Sequence, residues 1–254
     1  MLPWPYPRVL AHRGGGAFAP ENTIAAIRIG HERGFRGVEF DAMLCADGQA
    51  VLMHDATLDR TTDATGPVAE RSWDELARVD AGRWFSPDFA GERIPRLLDA
   101  IAFCRSHQVW INAEIKPGPG AEHQTGREVA RLIACGFADL LQVGSPSPQL
   151  PLLSSFSAEA LAAARAAEPG LPRGLLCQRI PDDWREQLER LQCVALHCDH
   201  RYLDARAIDA IRDAGYWLFA YTVNERRRAI QLAQWGLDAL CTDRLDRVAP
   251  SLLD

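Results

Sequence analysis

A chain of 254 residues is long for one small domain but typical of one large α/β barrel. Hydrophobic residues make up 47% and charged residues 24%, which is ordinary globular usage, and no run of eighteen apolar residues is present to cross a bilayer. We expect one domain over 1–254. A net charge of −6 disfavours nucleic acid as a partner, and this acidic charge together with the missing apolar run argues against stable membrane attachment.

The first ten residues and the cysteines both bear on location. The opening MLPWPYPRVL has no basic stretch and no continuous apolar run, because three prolines interrupt it before Arg8. The seven cysteines form no CxxC pair and mostly lie in apolar segments, which is typical of buried, reduced thiols. We therefore expect a cytoplasmic protein; the sequence leaves its oligomeric state open.

Eight short β-rich segments alternate with amphipathic segments along the chain. The strands are predicted at 8–12, 37–44, 109–116, 150–156, 173–178, 193–199, 216–223 and 238–243. The helices are predicted at 21–33, 97–106, 125–135, 158–167, 182–191, 204–213 and 225–234, with Ser157 and Asn224 as N-caps. Eight such units favour an α/β fold of the (β/α)₈ TIM barrel type. A doubly wound open sheet is the alternative, although no GxGxxG follows the first strand.

Two segments interrupt this alternation. Two apolar runs around Asp47 and Gly48 predict a hairpin that extends the second strand. Residues 56–95 contain no barrel strand, but a capping box from Ser72 to Glu75 predicts local structure, so we interpret them as a small inserted lobe. The aromatic residues of this lobe that we expect at the surface are Trp73, Trp84 and Phe85.

Carboxylates occupy one face of two predicted strands. Glu39 and Asp41 are two residues apart, so both side chains point to the same side of the second strand, and Glu114 shares a face with Asn112 and Lys116 in the third. A barrel lumen is normally filled by branched apolar residues, so acids there are costly without compensation. Oxygen donors without cysteine or histidine suit Mg²⁺ or Ca²⁺ better than zinc. The alternative is a salt bridge within the lumen to Lys116.

The charges of these groups favour a cation together with an anionic substrate. Three carboxylates face two basic side chains, Arg13 and Lys116, which leaves one negative charge. Adding one divalent cation and one phosphodiester monoanion brings the total to zero.

Two histidines stand at predicted strand ends beside these acids. His12 and Arg13 precede a run of three glycines that allows the backbone close to a ligand, and His54 closes the hairpin. His197 and His200 form an HxxH pair that would suggest zinc, but on a strand this spacing points them to opposite faces. We therefore favour His12 and His54 as the functional pair.

The motifs HRG at 12–14, PENT at 20–23, EFD at 39–41, HD at 54–55 and EIK at 114–116 together resemble the glycerophosphodiester phosphodiesterases. The similarity extends through LLSSF, GLLC, AYTVN and CTD, and the PWPYP opening resembles the cytoplasmic bacterial enzymes. Tyr221 departs from the family pattern, since many members have tryptophan there. This difference affects the expected shape of the pocket wall and not the expected chemistry.

The resemblance implies a barrel with its site at the carboxyl ends of the strands and a role for each matching residue. The divalent metal, with Mg²⁺ preferred over Ca²⁺, would be bound by Glu39, Asp41 and Glu114. Phosphate oxygens would be held by Arg13 and Lys116. The catalytic acid/base pair would be His12 and His54, with His12 assigned as base and His54 as acid.

The implied reaction is metal-dependent hydrolysis of small glycerophosphodiesters, such as glycerophosphocholine and glycerophosphoethanolamine, to sn-glycerol 3-phosphate and an alcohol. The attacking group is either the glycerol 2-hydroxyl, through a cyclic phosphate, or water. One rival is a lysophospholipid phosphodiesterase, which would need an apolar channel that Trp84 and Phe85 could line. The other is a non-catalytic sensor of the same ligands, which loss of either histidine would favour, and both are present.

Overall fold

Nine β-strands form one continuous sheet in the computed structural model, which describes residues 3–141 and 147–253. The bounds are β1 Val9–Ala11, β2 Gly37–Leu44, β3 Ala50–Leu52, β4 Trp110–Ile115, β5 Leu152–Ser155, β6 Arg173–Cys177, β7 Ala195–Asp199, β8 Trp217–Tyr221 and β9 Ala239–Thr242. All neighbouring strands are parallel except β2 and β3, and β1 pairs with both β9 and β2. Eight parallel strands therefore close into a barrel, which confirms the TIM barrel and excludes the doubly wound alternative.

Helices cover the outside of the barrel. Their bounds are α1 Ile24–Glu32, α2 Trp73–Leu76, α3 Leu97–Ser106, α4 Glu122–Gly136, α5 Ala138–Leu141, α6 Ala158–Ala167, α7 Trp184–Leu191, α8 Ala205–Asp213 and α9 Arg226–Gln234. The helix predicted from residue 21 begins three residues later, because the Thr23 side chain is the N-cap and accepts a hydrogen bond from Ala26 N. Residues 21 and 22 are thus left in the β1–α1 loop.

The two predicted N-caps have different outcomes. Ser157 caps α6, with its hydroxyl accepting from Ala160 N. Asn224 does not cap α9, because Glu225 occupies the N-cap position and the Asn224 side chain instead donates to Asp243 at 3.0 Å. The expected cap is therefore a residue of the candidate site.

The lumen of the barrel is apolar at the amino ends of the strands. Tyr6, from the segment before β1, stacks on Trp110 with ring centroids 4.4 Å apart, and Trp4 packs edge-on against Tyr6 at 5.0 Å. The buried residues of this plug are Tyr6, Leu10, Trp110, Leu152, Ala195, Phe219, Ala239 and Cys241. The plug closes one end, so polar side chains in the lumen face the carboxyl ends of the strands, where active sites of this fold lie.

The segment between β3 and α3 packs on the β2–β3 hairpin. Its predicted capping box is present, with Ser72 N donating to Glu75 Oε2 at 2.8 Å. Trp84 is exposed as expected, whereas Trp73 and Phe85 are half-buried. The cluster that joins the segment to the hairpin consists of Met43, Cys45, Val51, Met53, Leu58, Val68, Leu76, Ala81 and Ile94. The single domain over 1–254 with a lobe at 56–95 stays a prediction, and residues 1, 2, 142–146 and 254 lie outside the described residues.

Across the described ranges, none of the helices combines the length and the apolar character that crossing a bilayer requires. The seven cysteines are free, and five are buried as expected. Cys177 is half-buried and Cys135 is exposed near the end of α4, which departs from the expectation of buried thiols.

Candidate active site

Three carboxylates meet at the carboxyl end of the barrel. Each of Glu39, Asp41 and Glu114 offers an oxygen, and these atoms all lie within 4.8 Å of one another. Register explains the meeting, because Asp41 of β2 is the direct neighbour of Glu114 on the parallel strand β4. Glu39 and Asp41 are buried, with 4% and 1% of their surfaces exposed. The structure thus brings together the three predicted metal ligands.

The β1–α1 loop fixes two of these acids by direct hydrogen bonds. The side chain of Asn22 donates to Asp41 Oδ2 at 2.8 Å and accepts from Asp41 N at 3.1 Å. The backbone N–H of Arg13 donates to Glu39 Oε2 at 3.1 Å. Both loop residues have left-handed backbones, with φ of 51° at Arg13 and 58° at Asn22. Such strain in non-glycine residues is typical of functional sites, where the surroundings must hold it in place.

The two predicted phosphate-binding cations lie beside the carboxylates without neutralising them through close contacts. Lys116 Nζ is 3.4 Å from Glu114 and 3.9 Å from Asp41. Arg13 Nε is 3.6 Å from Asp41 and, within the described parts of the chain, is a buried donor without a hydrogen-bond partner. Charge-assisted hydrogen bonds are normally near 2.8 Å, so these distances leave donor capacity for an anion.

The donor set fits a hard divalent cation. Burial raises the pKa of Glu39 and the nearby Asp41 raises it further, and the same two causes raise the pKa of Glu114. Buried carboxylates that repel one another in this way are stabilised when a cation is bound between them. The alternative salt bridge to Lys116 is present as well, but Lys116 and Arg13 together carry one charge fewer than the three acids.

His12 is held by the carboxylate of Asp243, the residue that follows β9. Its Nδ1 lies 2.6 Å from Asp243 Oδ1, while its Nε2 faces Glu39 Oε2 at 3.8 Å. Asp243 is itself fixed, since Asn224 donates to its Oδ2 at 3.0 Å and accepts from its backbone N at 2.8 Å. Gly16 allows this approach, because a Cβ there would collide with the Asp243 carbonyl. The second ring nitrogen of His12 is thus directed at the carboxylates.

His54, which lines the same cavity as His12, has the same arrangement. It follows β3, and its Nδ1 lies 2.6 Å from Asp55 Oδ1. The Nδ1 atom of each histidine therefore contacts a carboxylate, which leaves Nε2 available for a substrate.

Arg60 connects the Asp55 carboxylate beside His54 to the Glu21 carboxylate beside Arg13. Its guanidinium donates to Asp55 Oδ2 at 2.6 Å, and it donates to both carboxylate oxygens of Glu21 at 2.7 and 2.8 Å. Glu21 also accepts a hydrogen bond from Arg13 Nη1 at 2.7 Å. A continuous chain of charged contacts consequently runs from His54 through Arg60 to Arg13; we call it the Arg60 bridge.

The two histidines differ in their electrostatic surroundings. Burial lowers the pKa of His12, but hydrogen bonding to Asp243 and the charge of Glu39 outweigh it, so the pKa is raised. Burial also lowers the pKa of His54, and there it prevails over the carboxylates nearby. A cation bound by Glu39 would oppose the effect of that acid on His12.

One cavity of about 180 Å³ opens to the surface here, and the predicted site residues that line it are His12, Arg13, Glu39, His54, Glu114 and Lys116. Its rim carries Phe156, which is 52% exposed, and Tyr221, whose ring lies edge-on to Phe156 at 5.9 Å. The Tyr221 hydroxyl donates to Cys177 O at 2.8 Å, which fixes the wall at the position where the motif departs from the family pattern. Trp84 and Phe85 are not among the lining residues of this cavity.

His197 and His200 do not form a zinc pair. His197 points into the lumen and lines the cavity, whereas His200 begins a short 3₁₀ turn after β7. Of the residues described, neither belongs to a group of metal ligands. The expectation that a strand sends them to opposite faces does not apply, because β7 ends at Asp199 and His200 lies beyond it.

Five further residues support the site, and none of them was assigned a role there from the sequence. Asp243, Asn224, Asp55, Glu21 and Arg60 act on the predicted residues through side-chain contacts. Four of them lie within motifs that carry the family resemblance, namely Glu21 in PENT, Asp55 in HD, Asn224 in AYTVN and Asp243 in CTD, and Arg60 alone lies outside these motifs.

A family model described as the glycerophosphoryl diester phosphodiesterase family matches residues 12–247. A glycerophosphodiester phosphodiesterase of Caldanaerobacter subterraneus subsp. tengcongensis is 32% identical over 240 residues, covering 92% of this chain and 93% of its own length. One from Bacillus subtilis is 27% identical over 251 residues, covering 93% and 83%. The solved structure of an Oleispira antarctica phosphodiesterase in complex with the product sn-glycerol-3-phosphate superposes with a TM-score of 0.84 at 37% identity, covering 94% of this chain and 93% of that one.

Proposed function

The chain belongs to the glycerophosphoryl diester phosphodiesterase family, and we propose that it hydrolyses small glycerophosphodiesters to sn-glycerol 3-phosphate and a free alcohol. One observation carries this proposal: two histidines, each held by a carboxylate at 2.6 Å, line one cavity together with Glu39 and Glu114 of the three clustered acids. The arrangement would supply a cation site, two proton-transfer groups and two cationic side chains for the phosphate, which are the parts that phosphodiester hydrolysis needs. Retention of both histidines argues against a non-catalytic sensor.

Glu39, Asp41 and Glu114 would hold one divalent ion, with Mg²⁺ preferred over Ca²⁺ because the three acids are tightly grouped. When bound, this ion supplies charge neutralisation at the phosphate and lowers the pKa of a hydroxyl or water beside it. Arg13 and Lys116 would hold the phosphate oxygens, and the buried Arg13 Nε supports this, since a phosphate oxygen would satisfy it.

The two histidines would move protons on opposite sides of the phosphate. His12 is assigned as the base, because its Nε2 faces Glu39 and the carboxylate cluster, where the attacking oxygen would be held. His54 is assigned as the acid, because it lies toward the rim with 31% of its side chain exposed, where a departing alcohol reaches solvent. The carboxylates of Asp243 and Asp55 would keep each imidazole oriented while it gains or loses a proton.

The size of the cavity favours glycerophosphodiesters over lysophospholipids. A space of about 180 Å³ accommodates a glycerophosphate group but not a long acyl chain in addition. The lobe aromatics Trp84 and Phe85 do not extend it into a channel.

The decisive measurement is release of glycerol 3-phosphate from glycerophosphocholine by protein stripped with EDTA, with Mg²⁺ or Ca²⁺ added back separately. We expect no release without metal and restored release with Mg²⁺. Lysophosphatidylcholine in a parallel assay separates the two substrate classes. Folded protein that releases nothing with either ion would rule the proposal out.

Replacing the histidines tests their roles. We expect His12→Ala and His54→Ala each to lower turnover by about a hundredfold or more while the fold is retained, since each removes one proton transfer. Near-normal turnover in either variant would remove that residue from the mechanism.

A cytoplasmic location is part of the proposal. It is supported by seven cysteines without a disulfide among the described residues, which is typical of proteins in reducing compartments. Nucleic acid is not proposed as a partner, since the net charge is −6.

A further inference from the structure

Three uncharged polar side chains line the same cavity as Glu39 and Glu114. They are Asn112, Ser154 and His197, whose exposed fractions are 2%, 0% and 1%. In the described part of the chain, no partner is found for Asn112 Oδ1, Ser154 Oγ or either ring nitrogen of His197. Buried polar groups are nearly always hydrogen-bonded to protein, ligand or water, so four such atoms around one space indicate that a polar molecule occupies it and bonds to them. We call this set the polar floor.

Strand register places two members of the polar floor, Asn112 and Ser154, directly beside the candidate metal ligands. Asn112 of β4 is the neighbour of Glu39 on β2, and Ser154 of β5 is the neighbour of Glu114 on β4. A group bound at the carboxylates is therefore about one strand spacing from the floor. The phosphate subsite and the floor lie within the reach of one small molecule.

The ring of His197 is held in place by its neighbours and not by hydrogen bonds. It stacks on Phe219 with centroids 4.6 Å apart. On the adjacent strand, a Cβ at Gly174 would lie 2.5 Å from His197 Nε2, so only glycine leaves room for the imidazole. The fold thus makes space for a polar ring in the lumen where an apolar residue would pack.

The chemistry of the floor selects a hydroxyl group. Ser154 donates and accepts, Asn112 Oδ1 accepts, and a neutral imidazole offers one donor and one acceptor. Burial lowers the pKa of His197 to about 3, so this ring is neutral at working pH. A phosphate oxygen cannot satisfy the acceptors, and an ammonium group cannot satisfy a donor. A hydroxyl does both.

We propose that the polar floor binds the terminal hydroxyl of the glycerol half of the substrate. This rests on the proposed function and specifies it further. The glycerol points down to the floor, the phosphate lies at Arg13 and Lys116, and the leaving alcohol points to the rim near Phe156. The site would therefore recognise the glycerophosphate half that all glycerophosphodiesters share, while the variable head group lies at the exposed end.

The test compares glycerophosphocholine with 2-hydroxypropyl phosphocholine, which keeps the hydroxyl next to the phosphoester carbon and lacks the terminal one. We expect wild-type kcat/KM to be at least about tenfold higher for glycerophosphocholine, because the analogue leaves buried polar groups unpaired. Ser154→Ala, which removes one oxygen, should reduce this ratio to about threefold or less. His197→Phe should reduce it similarly.

Binding of sn-glycerol 3-phosphate and of 2-hydroxypropyl phosphate, measured by calorimetry with Mg²⁺ present, gives the same comparison without turnover. Ser157→Ala is the matched control, since it removes a nearby hydroxyl that caps α6 outside the cavity and should leave the ratio unchanged. Equal preference in the wild type, or a ratio unaffected by Ser154→Ala and His197→Phe, would mean that the floor holds only water. Wild-type protein that hydrolyses neither diester would contradict the proposed function, and the binding comparison would still decide the inference.

Discussion

Asp243 Oδ1 lies 2.6 Å from His12 Nδ1, and this contact directs the other imidazole nitrogen into the cavity. Asp55 makes the equivalent contact with His54 at the same distance. A carboxylate on Nδ1 fixes the tautomer in which Nε2 accepts a proton, and it stabilises the imidazolium that follows. Each histidine is therefore prepared for either direction of proton transfer.

Replacing Asp243 with asparagine should lower kcat by about tenfold to a thousandfold, with a smaller change in KM. The amide keeps the shape but loses the charge, so it no longer stabilises the imidazolium or enforces the tautomer. Steady-state kinetics on glycerophosphocholine measures this. Asp246→Asn is the matched control, since Asp246 lies three residues away and pairs with Arg244 at the surface. Equal loss in both variants would assign the effect to general charge.

The Arg60 bridge predicts that a surface residue affects turnover. Arg60→Gln should lower kcat/KM by about fivefold or more, because Asp55 and Glu21 lose the donor that positions His54 and Arg13. The free energy of unfolding should change by less than about 1 kcal/mol, since 45% of the Arg60 side chain is exposed. Arg71→Gln is the control, because Arg71 is 44% exposed and pairs with Glu75 away from the cavity. If both variants keep full activity, the bridge has no catalytic consequence.

Metal affinity should weaken as pH falls. The pKa values of Glu39 and Glu114 are raised by burial and by Asp41, so protons compete with the cation for these oxygens. The dissociation constant for Mg²⁺ should increase by up to about tenfold per pH unit for each proton displaced. Calorimetry in two buffers of different ionisation enthalpy, from about pH 6 to about pH 9, measures both affinity and proton release. A constant affinity without proton release would contradict this.

Stability in mild acid should depend on His197. Burial lowers the pKa of His197 to about 3 in the folded state, whereas the unfolded residue titrates near 6.5. Between these values the unfolded chain binds a proton that the folded chain does not, so the free energy of unfolding falls as pH falls. His197→Phe should remove a slope of up to about 1.4 kcal/mol per pH unit in this window. Denaturant titrations of both proteins at several pH values measure it, and parallel slopes would count against the buried neutral ring.

The barrel and the carboxylates were predictable because both follow from local alternation. A period of two sets Glu39 and Asp41 on one face and Glu114 on the matching face of the next barrel strand, and parallel register does the rest. The same parity places His197 on the lumen face of β7 with Ala195 and Asp199. The HxxH spacing suggested only a zinc pair with His200, so this position in the lumen was not predicted.

The supporting contacts were not predictable, because they join residues far apart in the chain. Asp243 meets His12 across 231 positions, and Arg60 reaches Glu21 across 39. No local pattern records such a pairing, since it depends on how the strands close and on where the inserted segment folds back. Asn224 illustrates this, because its sequence context suited an N-cap and its tertiary partner proved to be Asp243.

The site is divided between two structural sources. The barrel strands and the β1–α1 loop supply His12, the three carboxylates and Lys116, whereas the segment after the hairpin supplies His54, Asp55 and Arg60. The barrel alone would retain the proposed cation site with one of the two proposed proton-transfer groups. If the inserted segment were exchanged between relatives, activity should therefore be preserved only when residues 54–60 and their partner Glu21 are transferred as one set. Without Glu21, the grafted segment would supply His54, but the contacts that orient its imidazole would be incomplete.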